Sequence, residues 1–338
     1  MCPGSAAAGK ARTGSGWALP CPRTAAAACQ ILRTDREARG LASVDYAERV
    51  NRAVDHIVRN LARPLRLEEV SAAAGFSPFH FHRIFKTLLG ETLQQFVKRQ
   101  RLERALYLMS HAPGRSLTDV ALDCGFSSSS DFSRSFRQHH GVAPSLFDLE
   151  AFRSTRRDAF ERILTTQAGS PLLTALPAGQ NPDGFEVVLR ELPARTVAYI
   201  RVHNPYREGA VQAACERLLA WAIPRGLADG QWLGYMWDEP EIVELAKCRY
   251  DVALVVDDFQ PAGEIGRFEF SPMRVAELVL RGDMALEARA FDWLYKTWLP
   301  RSGHVPDHQP AFEAWIGRPF AHGNAHFELA CQLPVQPG

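Results

Sequence analysis

This chain of 338 residues is short of the usual marks of chemistry. It has no Cys-x-x-Cys pair, and its seven cysteines (Cys2, Cys21, Cys29, Cys124, Cys215, Cys248, Cys331) are odd in number and scattered. That excludes a zinc ribbon or a disulfide framework and fits a reducing cytoplasm. No apolar run approaches the ~20 residues that a membrane helix needs. No nucleophile, histidine and acid recur in a triad-like pattern. GSAAAGKA, residues 4–11, falls short of a phosphate loop, because no Ser or Thr follows Lys10 and no strand precedes it. His304 with His308, and His322 with His326, have i, i+4 spacing, but Pro306 and Gly323 argue for loops there. Neither a metal nor a cofactor is expected.

Net charge is only +1, yet its distribution is uneven. Residues 45–153 hold fifteen Lys and Arg against twelve Asp and Glu, whereas residues 185–338 hold fifteen against twenty-one. The asymmetry suggests two parts with different partners. Residues 1–43, rich in Ala, Gly and Arg, are expected to be a disordered leader; Pro20, Pro22 and Arg23 break what would be the apolar core of an export signal.

Between Val44 and Arg63, Ala47, Val50, Val54, Ile57 and Leu61 recur at helical spacing until Pro64. LEEVSAAAG then reads as a short helix ended by Gly75, with Ser77 as N-cap and Pro78 in the first turn of the next helix. Helix, short turn with glycine, helix is a helix-turn-helix. Thr92 and Gln95 form a capping box for a helix running to about His111, and Ser116 with Asp119 resembles another. LTDVALDCG and SSSSDFSRSFRQHHG repeat the first unit, so residues 67–90 and 117–141 are an internal duplication with one residue inserted after Ser127.

In the helix from Ser77, Phe81, Ile84, Phe85 and Leu88 make one apolar face, leaving Phe79, His80, His82, Arg83 and Lys86 as candidate DNA contacts. An arginine near the start of a helix in the major groove can bond guanine O6 and N7 together, and Phe79 can pack on a thymine methyl. In the second copy Phe132 and Phe136 turn inward, and Ser129, Ser130, Ser133 and Arg134 are the candidates, better suited to phosphate than to sharp base readout. The first copy should carry more sequence information. A connecting helix of about 19 residues is roughly 28 Å long, against about 34 Å between major grooves on one face of DNA. Lys98, Arg99, Arg101 and Arg104 make it basic. One chain would then read an asymmetric, direct-repeat site.

Residues 154–184 contain QAGSPLLTALPAGQNPDG and read as a linker. Beyond them, two strands, a helix and two strands occur twice: FEVVLREL, TVAYIRVHN, a helix near 208–225, GYMWD and YDVALVVDD, then RFEFSP, RVAELVLRGD, a helix from Ala285 to Leu299, AFEAWIG and HFELACQLPV. The fold class expected is multidomain: an N-terminal all-α domain with two helix-turn-helix units (44–153), and a C-terminal α+β domain of two pseudo-symmetric ββαββ units (185–335) with a cleft between them.

The paired units, the A-x-x-x-G-F-S turn at Ala121–Ser127, its looser copy at Ser71–Ser77, and the G-V-A-P-S ending at Gly141–Ser145 resemble the AraC/XylS family of bacterial transcription regulators. The resemblance implies that the second helix of each unit enters the major groove and that double-stranded promoter DNA and RNA polymerase are partners. ELPARTVAYIRVHNPY, ERLLAWAIPRGL, KCRYDVALVV, DWLYKTWLP and PAFEAWIG resemble the GyrI-like effector-binding domain. That likeness implies a buried ligand-binding glutamate at Glu313, facing aromatic walls for which Tyr235, Trp237, Trp293 and Trp315 are candidates. The family's acidic and tyrosine positions in the last strand fall on Ala330 and Gln332. A carboxylate desolvated beside rings calls for a cation or a hydrogen bond.

The favoured reading is a cytoplasmic one-component transcription regulator whose C-terminal half senses a small apolar, cationic ligand. A second reading makes that half a hydrolase with Glu313 as base. A third is an effector that binds gyrase or polymerase. For Glu313 the structural alternative is an ion pair with Arg274 or Arg281.

Overall fold

The computed structural model describes residues 46–168, 179–323 and 326–338. The expected leader at 1–43 therefore lies outside the described residues. Residues 46–59 form α1, followed by α2 (Leu67–Ala73), α3 (Pro78–Leu89), α4 (Leu93–His111), α5 (Leu117–Asp123) and α6 (Ser129–His140). These are two helix-turn-helix units, α2–α3 and α5–α6, joined by α4.

Local chemistry sets their ends. Ser77 accepts from His80 N at 3.5 Å with Pro78 in the first turn, and Thr92 and Gln95 make both halves of a capping box. The second recognition helix is capped by Ser128, one residue past the position equivalent to Ser77, which takes up the insertion. Asp131 is part of this cap: its carboxylate accepts from Ser127 Oγ at 3.0 Å while its N–H donates to Ser128.

Each unit has its own apolar centre. Val50, Val54 and Ile57 of α1 pack with Val70, Phe81, Phe85 and Phe96, and Leu102, Leu106 and Leu108 of α4 pack with Val120, Phe126, Phe132 and Phe136. Leu88, expected on the inner face of α3, is 44% exposed, because α3 ends one residue later and Gly90 turns the chain away.

The stretch read as a linker from residue 154 begins inside a helix. α7 (Leu149–Ala168) continues without a break, tied at Arg153 to Glu239 and Glu241 and at Arg157 to Glu241 and Asp292. Those partners lie far along the chain, so the sequence pattern around residue 154 carried no sign of them.

The C-terminal half is one antiparallel sheet with α8 (Ala210–Ala222) and α9 (Met284–Trp293) on one face. Its strands are β1 (Val188–Leu192), β2 (Arg195–His203), β3 (Trp232–Met236), β4 (Arg249–Val256), β5 (Gly266–Phe270), β6 (Met273–Gly282), β7 (His304–Pro306), β8 (Ala311–Trp315) and β9 (Phe327–Pro337). The order β1-β6-β9-β8-β3-β4-β2-β5 is the expected pseudo-twofold, with the first strand of each ββαββ unit exchanged onto the other unit. β7 is an addition, paired with β9. The axis passes between β3 and β8, where Gly234 sits opposite Glu313.

Because strand side chains alternate between faces, Ala311, Glu313 and Trp315 point toward the helices, and Phe312 points the other way. The other face is covered in part by α1. Tyr199 donates to Asp55 Oδ2 at 2.6 Å, Arg201 pairs with both Asp55 and Asp251, and the Arg59 guanidinium lies 3.9 Å from the Phe268 ring centre.

Candidate functional site

Phe79, His80, His82, Arg83 and Lys86 are all exposed along one side of α3, Phe79 at 70%, while Phe81 and Phe85 on the opposite side are fully buried. On α6, Ser130 and Arg134 are exposed and Ser129 and Ser133 half-buried, with Phe132 and Phe136 buried. The structure thus keeps both candidate sets on outward helix faces.

The basic rod is different. α4 has the expected extent of 19 residues, but its cations are tied inward. Arg99 bridges Glu91 and Glu103. Arg101 donates to the carbonyls of Leu61 at 3.1 Å and Arg63 at 2.8 Å. Lys98 donates to Gln138, and Arg104 to His308. The expectation of a cationic face on α4 is corrected: these side chains hold α4 to its neighbours.

A cavity of about 610 Å³ lies between the sheet, α9, α4 and the turn before α2. Glu313 is its most chemically distinctive wall residue. Its Oε2 accepts from the Tyr250 hydroxyl at 2.6 Å and from Trp315 Nε1 at 3.0 Å, and its carboxyl also hydrogen-bonds that of Glu287 from α9. Burial pushes both carboxyls up, Glu287 well above the ordinary range, because beside Glu313 it would be a second desolvated negative charge. Two raised carboxyls in contact behave as one pair that shares a proton. Burial likewise raises the Tyr250 phenol well above its usual value, so it stays a donor. The ion pair of Glu313 with Arg274 or Arg281 is not formed, since Arg274 pairs with Glu191 and Arg281 with Glu328.

Of the four aromatic candidates, Trp315 lines the cavity and donates to Glu313. Trp237 borders it, but its ring packs on Phe268 and its Nε1 donates to Asp251 at 2.6 Å. Two placements are corrected. Tyr235 is on the opposite face of β3 from Gly234, stacked on Phe270 with ring centres 4.2 Å apart. Trp293 is in the core beneath the helices against Phe185. Ala330 and Gln332 also face away from Glu313, Gln332 donating to Glu277; Leu329 and Cys331 are the last-strand residues on the Glu313 side. The residues that the sequence did not point to are Glu287 and Tyr250. Tyr250 stood in a strand pattern, and its distance of two residues from Val252 and four from Leu254 on the inner face was a usable signal. Glu287 had none.

The wall opposite Glu313 belongs to the helical half: Leu61, Ala62, Glu103, Arg104, Tyr107 and Asp123. The loop after β3 joins the two halves. Glu239 accepts from His111 at 2.9 Å and from Arg153 at 2.9 Å, Asp238 holds Arg249, which in turn reaches Gln100 at 2.9 Å, and Ile242 and Val243 enter the apolar centre of the second helix-turn-helix.

Residues 51–148 match a helix-turn-helix domain, and residues 185–336 match the GyrI-like small molecule binding domain. LumQ of Photobacterium leiognathi, a probable transcriptional regulator, is 34% identical over 104 residues, 30% of this chain and 42% of LumQ. The chain therefore spans under half the length of LumQ. A probable AraC family transcriptional regulator of known structure from Rhodopseudomonas palustris is 34% identical, covers 29% of this chain and 91% of its own, and has a TM-score of 0.27. PqrA of Proteus vulgaris, a probable transcription factor, is 34% identical over 83 residues, 25% of this chain and 67% of PqrA. The chain belongs to the AraC family. In this AraC-family chain the DNA-binding module precedes the GyrI-like domain, and α7 begins where the first match ends. Among the described residues no helix is long and apolar enough to cross a membrane.

Proposed function

We propose that this AraC-family chain is a one-component transcription regulator: the N-terminal half reads promoter DNA, and the C-terminal half senses a small apolar ligand that turns a cationic or hydrogen-bond-donating group toward Glu313. The observation that carries this reading is a cavity lined both by the Glu287–Glu313 pair and by α4 and the turn before α2. A ligand there touches both halves at once. It shifts their arrangement to the extent that it binds one arrangement better than another. Phe79, His82 and Arg83 supply base readout, Ser129, Ser130, Ser133 and Arg134 chiefly phosphate contact, and RNA polymerase is the further partner.

Selection of bound sequences from random DNA tests the reading, with wild type, Arg83→Ala and Arg134→Ala side by side. Wild type should recover an asymmetric site, and Arg83→Ala should relax one position of it. Recovery of the same site by Arg83→Ala, or of a palindrome by wild type, would overturn the assignment. Steady product formation that is lost in Glu313→Gln would favour the other reading, a hydrolase with Glu313 as base.

A further inference from the structure

Among the arginines that border the cavity, one, from α4 of the DNA-binding half, is unlike the rest. Arg153, Arg157 and Arg249 border the cavity, and each is paired with carboxylates: Glu239 and Glu241, Glu241 and Asp292, and Asp238. Arg59 lies over the Phe268 ring. Arg104 also borders the cavity, but among the described residues no carboxylate forms an ion pair with it. Its contacts are His308 Nδ1 and, 5.7 Å away, the ring of Tyr107. Asp123 and Asp307 attract it from further off, and Asp123 is already held by Arg115. Burial, and after it the Arg104 charge, hold the His308 imidazole below its usual value, so the ring is neutral and accepts from the guanidinium through Nδ1. Its Nε2 then carries a proton.

A guanidinium largely withdrawn from water without a counter-charge is costly, and burial pulls Arg104 below the ordinary arginine value. A carboxylate offers the planar, two-oxygen match that a guanidinium takes best. The same cavity is lined in part by the rings of Tyr107, Phe291, Tyr295 and Trp315, and about 610 Å³ is far more than an inorganic anion fills.

We propose that Arg104, assisted by His308, is an anion-binding position in the effector cavity, and that the effector is an organic carboxylate with an apolar body whose acid group sits on α4 while its other end faces Glu313. This rests on the reading of the cavity as the effector site and adds the class of ligand. It also gives the ligand a direct grip on the DNA-binding half, since α4 joins the two reading helices.

Three probes that share one benzene ring test it by calorimetry on the full chain: phenylacetate, phenethylamine and 4-(aminomethyl)phenylacetate. Wild type should bind the last at least tenfold more tightly than phenethylamine. Arg104→Gln should erase that advantage and leave phenethylamine affinity within twofold, while Arg104→Lys restores part of it. Unchanged carboxylate affinity in Arg104→Gln, with an unchanged unfolding temperature showing that it is folded, would overturn the anion position alone. Should Arg104→Gln fail to fold, His308→Ala serves instead: a loss of carboxylate preference of at least threefold supports the proposal, and none overturns it. If phenethylamine binds and Glu313→Gln does not weaken it, the effector-site reading fails instead; binding of no probe overturns both.

Discussion

Gly234 of β3 is the registered neighbour of Glu313 of β8, and the side chain that Gly234 lacks is the space through which the Tyr250 hydroxyl reaches the Glu313 carboxylate. A Cβ at Gly234 would collide with that hydroxyl and lie 2.6 Å from Glu313 Oε2. The pseudo-twofold places a glycine in one unit where the other has its buried acid, and so leaves room for a single carboxylate at the axis.

Gly234→Ala should therefore displace Tyr250 and reorient Glu313. Overpacking of this kind costs about 1–3 kcal/mol of stability, to be read by urea unfolding. Phenethylamine affinity should fall at least tenfold, whereas Gly230→Ala, where the nearest atoms are 3.1 Å or more away, should leave it within twofold.

The shared proton of Glu287 and Glu313 makes stability depend on pH. A carboxyl whose folded pKa is raised holds a proton that the unfolded chain has released, so its contribution is fully present below the ordinary value of 4.5 and is lost as pH rises through the folded value. Glu287→Gln keeps a donor to Glu313 and cannot ionise. Across about pH 5 to about pH 8 its unfolding midpoint should fall less steeply with pH than that of wild type. Equal slopes would mean that Glu287 does not carry the proton.

Gly125, in the turn between α5 and α6, has φ +82, and a Cβ there would strike the Leu61 carbonyl and come within 2.9 Å of the Ala62 carbonyl carbon. Gly141, at φ +83, has open space around the same position. Gly141→Ala should cost about 1–2 kcal/mol, the left-handed penalty alone. Gly125→Ala should cost about 2–4 kcal/mol, since a backbone collision is added. Parallel denaturation curves separate the two contributions.

Arg101 and Lys86 should behave as opposites. Arg101→Ala removes two hydrogen bonds to the turn before α2 and should lower stability by about 1–3 kcal/mol with no change in the salt dependence of DNA binding. Lys86→Ala, on the exposed side of α3, should leave stability within about 0.5 kcal/mol. It should also reduce the slope of log affinity against log salt by about 1.

The helical half was legible in advance because its signals are local. Ser77 caps the helix three residues before His80, Thr92 and Gln95 are one turn apart, and Gly90 and Gly141 stop helices at the next residue. A cap or a helix stop is decided by atoms within one turn of each other. Alternation likewise located eight of the nine strands, while three-residue β7 is too short to show a period. The charges of α4 were misleading for the converse reason. Arg101 and its acceptor Leu61 are 40 residues apart, so composition showed a cation and nothing of its partner.

The amino-acid sequence by itself determined the capped helices, which depend on residues close together in the chain, and the two duplications, which show as repeated patterns; Glu313 came from the likeness of its segment to a known domain. The tertiary structure alone decided that Gly234, Tyr250 and Glu287 meet that acid while Tyr235 faces away, and that Arg104 shares its cavity. In a strand, neighbouring side chains point to opposite faces, so a position one residue along lies on the other side of the sheet. Which face is closed by α9 and α4 depends on packing between elements up to two hundred residues apart, and no local pattern records it.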